Sequence, residues 1–386
     1  MASLLDSKDN PIRILIVDDS AVIRRTIRHA LIAHSDLEVV GTANDGAAAV
    51  AFVQHTKPDV MILDVEMPIM DGITALKEIR KSDWSLPIIM FSSLTKVGSQ
   101  STLTALTEGA SDYVGKPDNT SDMQEFLTVL EQTLIPKIRA LCPDKGLNTG
   151  LAVRKLARNN TKDVLKPRTA PDLSVAPHPV PSSPAKLFDN NPIEAVCIGV
   201  STGGPAALVT VFSQWTEPLK VPVFIVQHMP AQFTELLAKK LTSISGMPVK
   251  EAVHGEVAIA GQAYLAPGGH HMTVKDIGGR IATHLNQDPP ENFCRPAVDV
   301  LFRSAARAYG SRLLGVVLTG MGSDGMLGAQ HIIQAKGQVI AQDEATSLIW
   351  GMPGAVVRAG LAQKILPLDE IHTEISLMVS RKRSLA

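Results

Sequence analysis

Eight short apolar runs constrain the fold of this 386-residue chain more than any other feature. Five lie in the first 116 residues: IRILIV, LEVVG, DVMIL, LPIIMF and DYVG. Three more, AVCIGV, VPVFIV and LLGVVL, lie beyond residue 194. Most lack the polar alternation of a half-solvated strand, so as strands they would be buried on both faces. Between them apolar residues recur at helical spacing, as at Ile23, Ile27 and Leu31. Continuous apolar strands alternating with helices predict parallel sheets covered by helices on both sides. The pattern occurs twice, which predicts two α/β units.

The stretch between the two units has a different character. Residues 142–192 hold eight prolines, clustered in PRTAPDLSVAPHPVPSSP, and few large apolar residues in any period. Such a segment cannot bury enough surface to offset its ordering entropy, and its proline-rich end should be an extended spacer. Its LAVRKLARNN portion could form a helical turn or two when docked. The predicted organisation is one domain over 12–130, a helical end and proline-rich linker over 131–191, and a second domain over 192–382. Charge follows the same division: net -6 for residues 1–141, +4 for 142–192 and +1 for 193–386.

The overall charge of -1 argues against a strongly basic nucleic-acid binder. Cys142, Cys197 and Cys294 are odd in number and far apart, with no CxxC or zinc spacing, so neither a disulfide scaffold nor a zinc site is expected. The N-terminal region lacks the basic front and long apolar core of a secretory signal, and no stretch reaches 18 clean apolar residues. A cytoplasmic protein without membrane insertion is the expectation.

Polar residues at the ends of the first five strands carry chemistry. Asp18 and Asp19 follow the first strand, Asp64 ends the third, Ser92 the fourth and Lys116 the fifth. In an open parallel sheet these strand ends meet at one crevice. Three carboxylates there repel one another unless a cation sits among them. A hard oxygen site with few protein ligands suits Mg²⁺, which keeps waters and accepts a phosphate oxygen. A lysine and a hydroxyl nearby would stabilise a phosphoryl group on one carboxylate. An acidic pair after a strand often only caps the next helix, as Asp19 or Ser20 could. The joint pattern at four strand ends is more specific.

On these residues, 12–130 resembles a response-regulator receiver domain. The resemblance implies a flavodoxin-like fold with a five-stranded parallel sheet and phosphorylation of Asp64 by a histidine kinase. It also implies Mg²⁺ held by Asp18, Asp19 and Asp64 with the Glu66 carbonyl, support from Ser92 and Lys116, and a switch aromatic at Tyr113.

In the second unit, AVCIGVSTGGP places Gly199-Val200-Ser201-Thr202-Gly203 between a strand and a helical stretch. GxSxG in that context is the nucleophile-elbow pattern, and the following helix N-terminus offers N–H groups to an oxyanion. A glycine-rich loop there could equally bind phosphate or simply turn. A serine needs a base. His228, in VPVFIVQHMP, ends a strand, whereas His254, His270 and His271 are rivals. A base needs an orienting acid. Asp324, in LLGVVLTGMGSDG, again follows a strand. Asp343 and Asp299 are rivals, the latter read as a solvated or capping acid on a packed helix.

The motifs STGGP, QHMP, LAPGG, RPAVDVLF and TGMGSDGMLG together resemble the catalytic domain of the chemotaxis protein-glutamate methylesterase family. The resemblance implies a doubly wound α/β hydrolytic domain with a mostly parallel sheet. It implies a Ser201–His228–Asp324 triad, an oxyanion hole using the Met321 N–H and the Thr202 region, and no cofactor for ester hydrolysis. It further implies demethylation of glutamate methyl esters, with deamidation of glutamines, on the cytoplasmic helices of membrane chemoreceptors. The chain is expected to act as a monomer, its receiver covering the esterase cleft until phosphorylated. Rival readings are a receiver joined to a non-catalytic partner-binding domain, a receiver-linked transcription factor and a hydrolase of small esters or peptides. The transcription factor would need a basic helix-turn-helix, which a near-neutral, strand-rich second half does not offer.

Overall fold

The computed structural model describes residues 10–93, 95–116, 123–143, 145 and 192–380. The proline-rich spacer, including its LAVRKLARNN stretch, lies outside these residues. The first unit runs β1 (Ile12–Val17), α1 (Ala21–Ile32), β2 (Leu37–Ala43), α2 (Gly46–Thr56), β3 (Val60–Asp64) and α3 (Gly72–Ser82). It continues with β4 (Ile88–Ser93), α4 (Lys96–Thr107), β5 (Asp112–Lys116) and α5 (Met123–Val129). A π-helical turn (Leu130–Leu134) then joins α5 to α6 (Ile135–Leu141).

The sheet order is β2-β1-β3-β4-β5, and every pair is parallel. All five predicted strands form. Ile14, Leu15, Ile16 and Val17 of β1, like Met61, Ile62 and Leu63 of β3, have no solvent exposure, as expected of strands covered on both faces. The chain reverses direction across the sheet between β1 and β3. A crevice therefore opens beyond their C-terminal ends, where Asp18 and Asp64 stand.

The second unit contains β6 (Ala195–Val200), α7 (Gly204–Ser213), β7 (Val223–Gln227), α8 (Ala231–Ile244), β8 (Val249–Glu251) and β9 (Ala263–Leu265). A hairpin of β10 (His271–Asp276) and β11 (Ile281–Asn286) leads to α9 (Val298–Tyr309) and a 3₁₀ turn (Gly310–Arg312). Then come β12 (Leu313–Val317), α10 (Met326–Gln334), β13 (Gln338–Gln342), α11 (Met352–Arg358), β14 (Lys364–Leu366) and α12 (Leu368–Ser380). The order β14-β13-β12-β6-β7-β9-β8 is parallel throughout. The chain enters at β6, builds outward through β7, and returns to lay β12 against the other side of β6. The topological switch lies between β6 and β12, so the loops after those strands, which carry Ser201 and Asp324, diverge around one crevice.

The two units pack directly. Helix α4 of the receiver lies against α7 and α8. Leu103 and Leu106 of α4 share one apolar cluster with Leu208 and Leu237. The Tyr113 and Phe233 rings meet with centroids 4.7 Å apart. All three cysteines are free thiols.

Candidate active site and phosphoacceptor pocket

Ser201 follows the last residue of β6. Its N–H donates to the Thr319 carbonyl (3.0 Å), and its carbonyl accepts from Gly204 N–H (2.8 Å) and the Gln227 side-chain amide (3.0 Å). Gly203, the N-cap of α7, has φ 77°, a left-handed conformation that a side chain would strain. Gly320 is required for another reason. A Cβ there would lie 2.4 Å from Met352 Sδ and 2.7 Å from Ser201 Cβ, so only glycine lets the loop after β12 approach the serine.

His228, one residue past β7, reaches both neighbours. Its Nδ1 lies 3.1 Å from Ser201 Oγ, and its Nε2 lies 2.8 Å from Asp324 Oδ2. The sequence predicted Ser201, His228 and Asp324 from three separate strand ends, and the structure brings them into one hydrogen-bonded row. Burial opposes the charged imidazole, but the hydrogen bond to Asp324 outweighs it, with help from Cys294, and raises its pKa to about 9. Burial likewise penalises the Asp324 carboxylate. His228 and the N–H groups of Val298 and Asp299 overcome that penalty and hold its pKa below the ordinary carboxylate value.

The rivals stand elsewhere. His254 is exposed and bonds the backbone of Leu285, while buried His271 accepts from the Ala297 N–H. Asp343 accepts from the backbone and hydroxyl of Thr346. Asp299 meets the capping alternative of its expectation and not the solvated one. It is 1% exposed, not solvated, and accepts from Gly325 N–H (3.0 Å) and Gly328 N–H (2.6 Å) at the start of α10. It caps a helix other than its own, and burial together with the neighbouring Asp324 raises its pKa to about 6. Val298 and Val300 flank it with buried side chains, as expected of a packed helix.

The row opens into a cavity of about 560 Å³. The second unit contributes Thr202, Asn292, Phe293, Cys294 and Met321 to its walls, and the receiver contributes Asp112, Tyr113 and Lys137. Thr202 and Met321 both line it, and neither backbone N–H has an acceptor among the described residues. The Thr202 hydroxyl donates across the domain boundary to Asp112 Oδ2 at 2.7 Å, with both residues buried. Lys137 Nζ holds the other Asp112 oxygen at 2.7 Å. Neither Asp112 nor the loop Asn292–Cys294 emerged from the sequence, because no local pattern tells which surface side chains another domain or loop will meet.

In the receiver, Asp18, Asp19 and Asp64 present carboxylate oxygens within 4.8 Å of one another. Lys116 Nζ lies 2.8 Å from both Asp18 Oδ2 and Asp64 Oδ2. Burial raises the Asp64 pKa to about 6, against the pull of Lys116 and with the push of Asp18. Two buried carboxylates and an exposed third, with one lysine as counter-charge, are a donor set that a hard divalent cation fits. Glu66 is exposed and lines the same depression as Asp19. Ser92, on the strand next to β3, does not face Asp64 through a hydrogen bond; its hydroxyl pairs with Thr102 of α4 at 2.5 Å.

The two sites define a class of protein: a response-regulator receiver carried on one chain with a hydrolase-type α/β domain. The family model for the response regulator receiver domain matches residues 14–128, and that for CheB methylesterase matches residues 196–375. The chain is 44% identical over 372 residues to the protein-glutamate methylesterase/protein-glutamine glutaminase of a Nocardioides species, covering 96% of both proteins. It is 45% identical to the Trichodesmium erythraeum protein of the same name, covering 94% of this chain and 97% of that one. The crystal structure of the Thermotoga maritima CheB methylesterase catalytic domain is 39% identical, with TM-score 0.48, covering 48% of this chain and 99% of that one. This chain belongs to the receiver-linked CheB methylesterase family.

Proposed function

We propose that this protein is a phosphorylation-controlled protein-glutamate methylesterase that also deamidates protein glutamines. The observation that carries the reading is the Ser201–His228–Asp324 row at the floor of a cleft partly walled by the receiver. His228 accepts the Ser201 proton at Nδ1 as the hydroxyl oxygen attacks the γ-carbonyl. Asp324 fixes the ring through Nε2 and stabilises the imidazolium that forms. The N–H groups of Thr202 and Met321, two residues that line the cleft, receive the oxyanion. As the tetrahedral intermediate collapses, the glutamyl group stays as an ester on Ser201, and His228 gives the proton to the departing methoxide, which leaves as methanol, or to the departing amide nitrogen of a glutamine, which leaves as ammonia. Water then frees the glutamate by the same steps, and no metal takes part in this chemistry.

In the receiver, Asp64 is the phosphoacceptor and takes its phosphoryl group from a histidine kinase. Asp18, Asp19 and Asp64, with the Glu66 carbonyl, would hold Mg²⁺, which supplies charge neutralisation for the incoming phosphoryl group. Lys116 pairs with the phosphorylated carboxylate, and Ser92 turns from Thr102 toward it. Because α4 packs on α7 and α8, that turn bears on the domain contact. The substrate is the methylated helical region of a chemoreceptor, met in the cytoplasm by a monomer. No helix among the described residues is long and apolar enough to cross a membrane.

The test is methanol release from methylated receptor with and without a small-molecule phosphodonor. Stimulation is expected for the wild type and none for Asp64→Asn. Ser201→Ala should release no methanol yet still accept phosphate. Release by Ser201→Ala at the wild-type rate would refute the assignment of the nucleophile.

A further inference from the structure

The turn Glu291–Cys294 carries chemistry that the triad alone does not account for. Asp324 and Asp299 are buried side by side, 2% and 1% exposed. Asp324 Oδ1 accepts from the N–H groups of Asp299 (2.9 Å) and Gly325 (3.0 Å), and its Oδ2 from Val298 N–H (2.6 Å). All of these are backbone donors. The Asn292 amide nitrogen also lies 3.0 Å from Asp324 Oδ1 and 3.0 Å from Asp299 Oδ2, so its two hydrogens reach one carboxyl each. Among the described residues it is the one side chain that donates to both acids, and the one side chain besides His228 that donates to Asp324.

The backbone is bent to deliver this amide. Asn292 has φ 52° and Phe293 φ 63°, both left-handed, a conformation asparagine tolerates better than most residues. Backbone bonds in both directions between Glu291 and Cys294 close the turn (2.9 and 3.2 Å). The Glu291 carboxylate is clamped by Arg303 of α9 at 2.6 and 3.2 Å. That same helix supplies Asp299 and the N–H groups that hold Asp324. Asn292 itself is solvent-exposed at the cleft rim and reaches inward.

We propose that Asn292 is a positioning residue for the esterase reaction: it bridges the buried Asp299–Asp324 pair and so fixes the carboxylate that orients His228. Two adjacent acids repel, and a neutral double donor between them relieves that repulsion without competing for the His228 proton. Removing it leaves Asp324 less compensated, which strengthens its hold on the imidazolium and shifts the His228 titration upward. A hydrogen bond to a charged group of this kind corresponds to about a 10- to 100-fold effect on rate.

The proposal rests on the serine-hydrolase reading, and its test separates the two. Full-length protein is assayed for methanol release with a phosphodonor, and for Ser201 labelling by a fluorophosphonate, each across pH. Asn292→Gly accepts the left-handed backbone but has no amide. It should lower kcat and the labelling rate about 10- to 100-fold, leave KM little changed, and move the ascending limb, which His228 sets, to higher pH. Asn292→Asp, which adds a third carboxyl, should move the limb further. A turn needed only for its shape would give Asn292→Gly with wild-type kcat and an unmoved limb, and that outcome overturns the proposal. Melting temperatures confirm that both variants are folded. Labelling without methanol release would defeat the substrate reading and still test Asn292. A wild-type Ser201 that takes no label would overturn both.

Discussion

Replacing Asp112 by alanine should release the esterase from its receiver. The Thr202–Asp112 bond is the one buried side-chain hydrogen bond described between the receiver and the loop beside the nucleophile, at 2.7 Å. Asp112 is 6% and Thr202 7% exposed, so the bond forms out of water when the domains are closed. In an open arrangement both groups are hydrated. The bond therefore favours the closed arrangement specifically, the condition for it to shift an equilibrium. A hydrogen bond to a charged acceptor contributes about 1.5–3 kcal/mol, which corresponds to about a 10- to 150-fold change in the closed-to-open ratio. The Tyr113–Phe233 contact and the α4 packing survive the substitution, so some closure persists. Lys137 loses one partner but keeps the Tyr113 carbonyl at 2.8 Å. The assay is methanol release without phosphodonor, where the basal rate should rise about tenfold or more, up to the phosphorylated ceiling. Stimulation by phosphodonor should shrink by the same factor. A folded Asp112→Ala protein with an unchanged basal rate would refute the reasoning, because the contact would then bear no part of the closure.

Other consequences follow from the same geometry. The raised pKa of His228, about 9 against an ordinary 6.5, keeps the imidazole charged and unable to act as a base near neutrality. The free-enzyme kcat/KM should therefore climb through pH 7 and 8, reach half its limit near pH 9 and level off about one unit above that, as a pH–rate profile will show. The His228–Asp324 pairing stabilises the fold fully below pH 6.5 and loses that contribution as pH rises through about 9. The Asp64 pKa is raised, so its ionisation opposes folding as pH rises from about 4 to about 6. In chelator at pH 7, Asp64→Asn should be more stable than wild type by on the order of 2–3 kcal/mol, and the gain should vanish below about pH 4 on thermal melts. Gly320→Ala would press a methyl group against Ser201 and Met352 and should cost on the order of 100-fold in kcat, measured on the phosphorylated protein. Removing divalent cations should abolish acceptance of phosphate by Asp64, leaving the basal esterase rate unchanged; a labelled phosphodonor reads the first and methanol release the second.

Several features could be read along the chain because each is local. An apolar run such as AVCIGV has nowhere to go but the middle of a covered sheet, and the residue after it must stand at the strand's C-terminal edge. That physical necessity placed Asp18, Asp64, Ser201 and His228 at crevices before any coordinates. The short strands β8, β9 and β14, three residues each, carry too little pattern to announce themselves. The β10–β11 hairpin and β13 also fall outside the eight apolar runs, because polar residues interrupt or bound their apolar signal.

The remaining features depended on which elements meet. Along the chain Asp299 reads as either a solvated or a capping acid, because α9 alone gives it no partner; α10 decides for capping through two N–H groups. Asn292 carries no signal in the sequence, since only the turn around it brings its amide to two carboxylates. Asp112 begins the predicted strand DYVG and acquires a role only because α4, α7 and α8 pack and bring it to Thr202. By itself the sequence determined two parallel α/β units, the carboxylate cluster of the first and the serine, histidine and aspartate after strands of the second, since strand burial and strand direction are properties of short segments. Only the tertiary structure decided how the acids are paired, which turn supports them and how the receiver reaches the cleft. Those contacts join residues up to 90 or more positions apart, and the free energy that selects them comes from burying whole surfaces together.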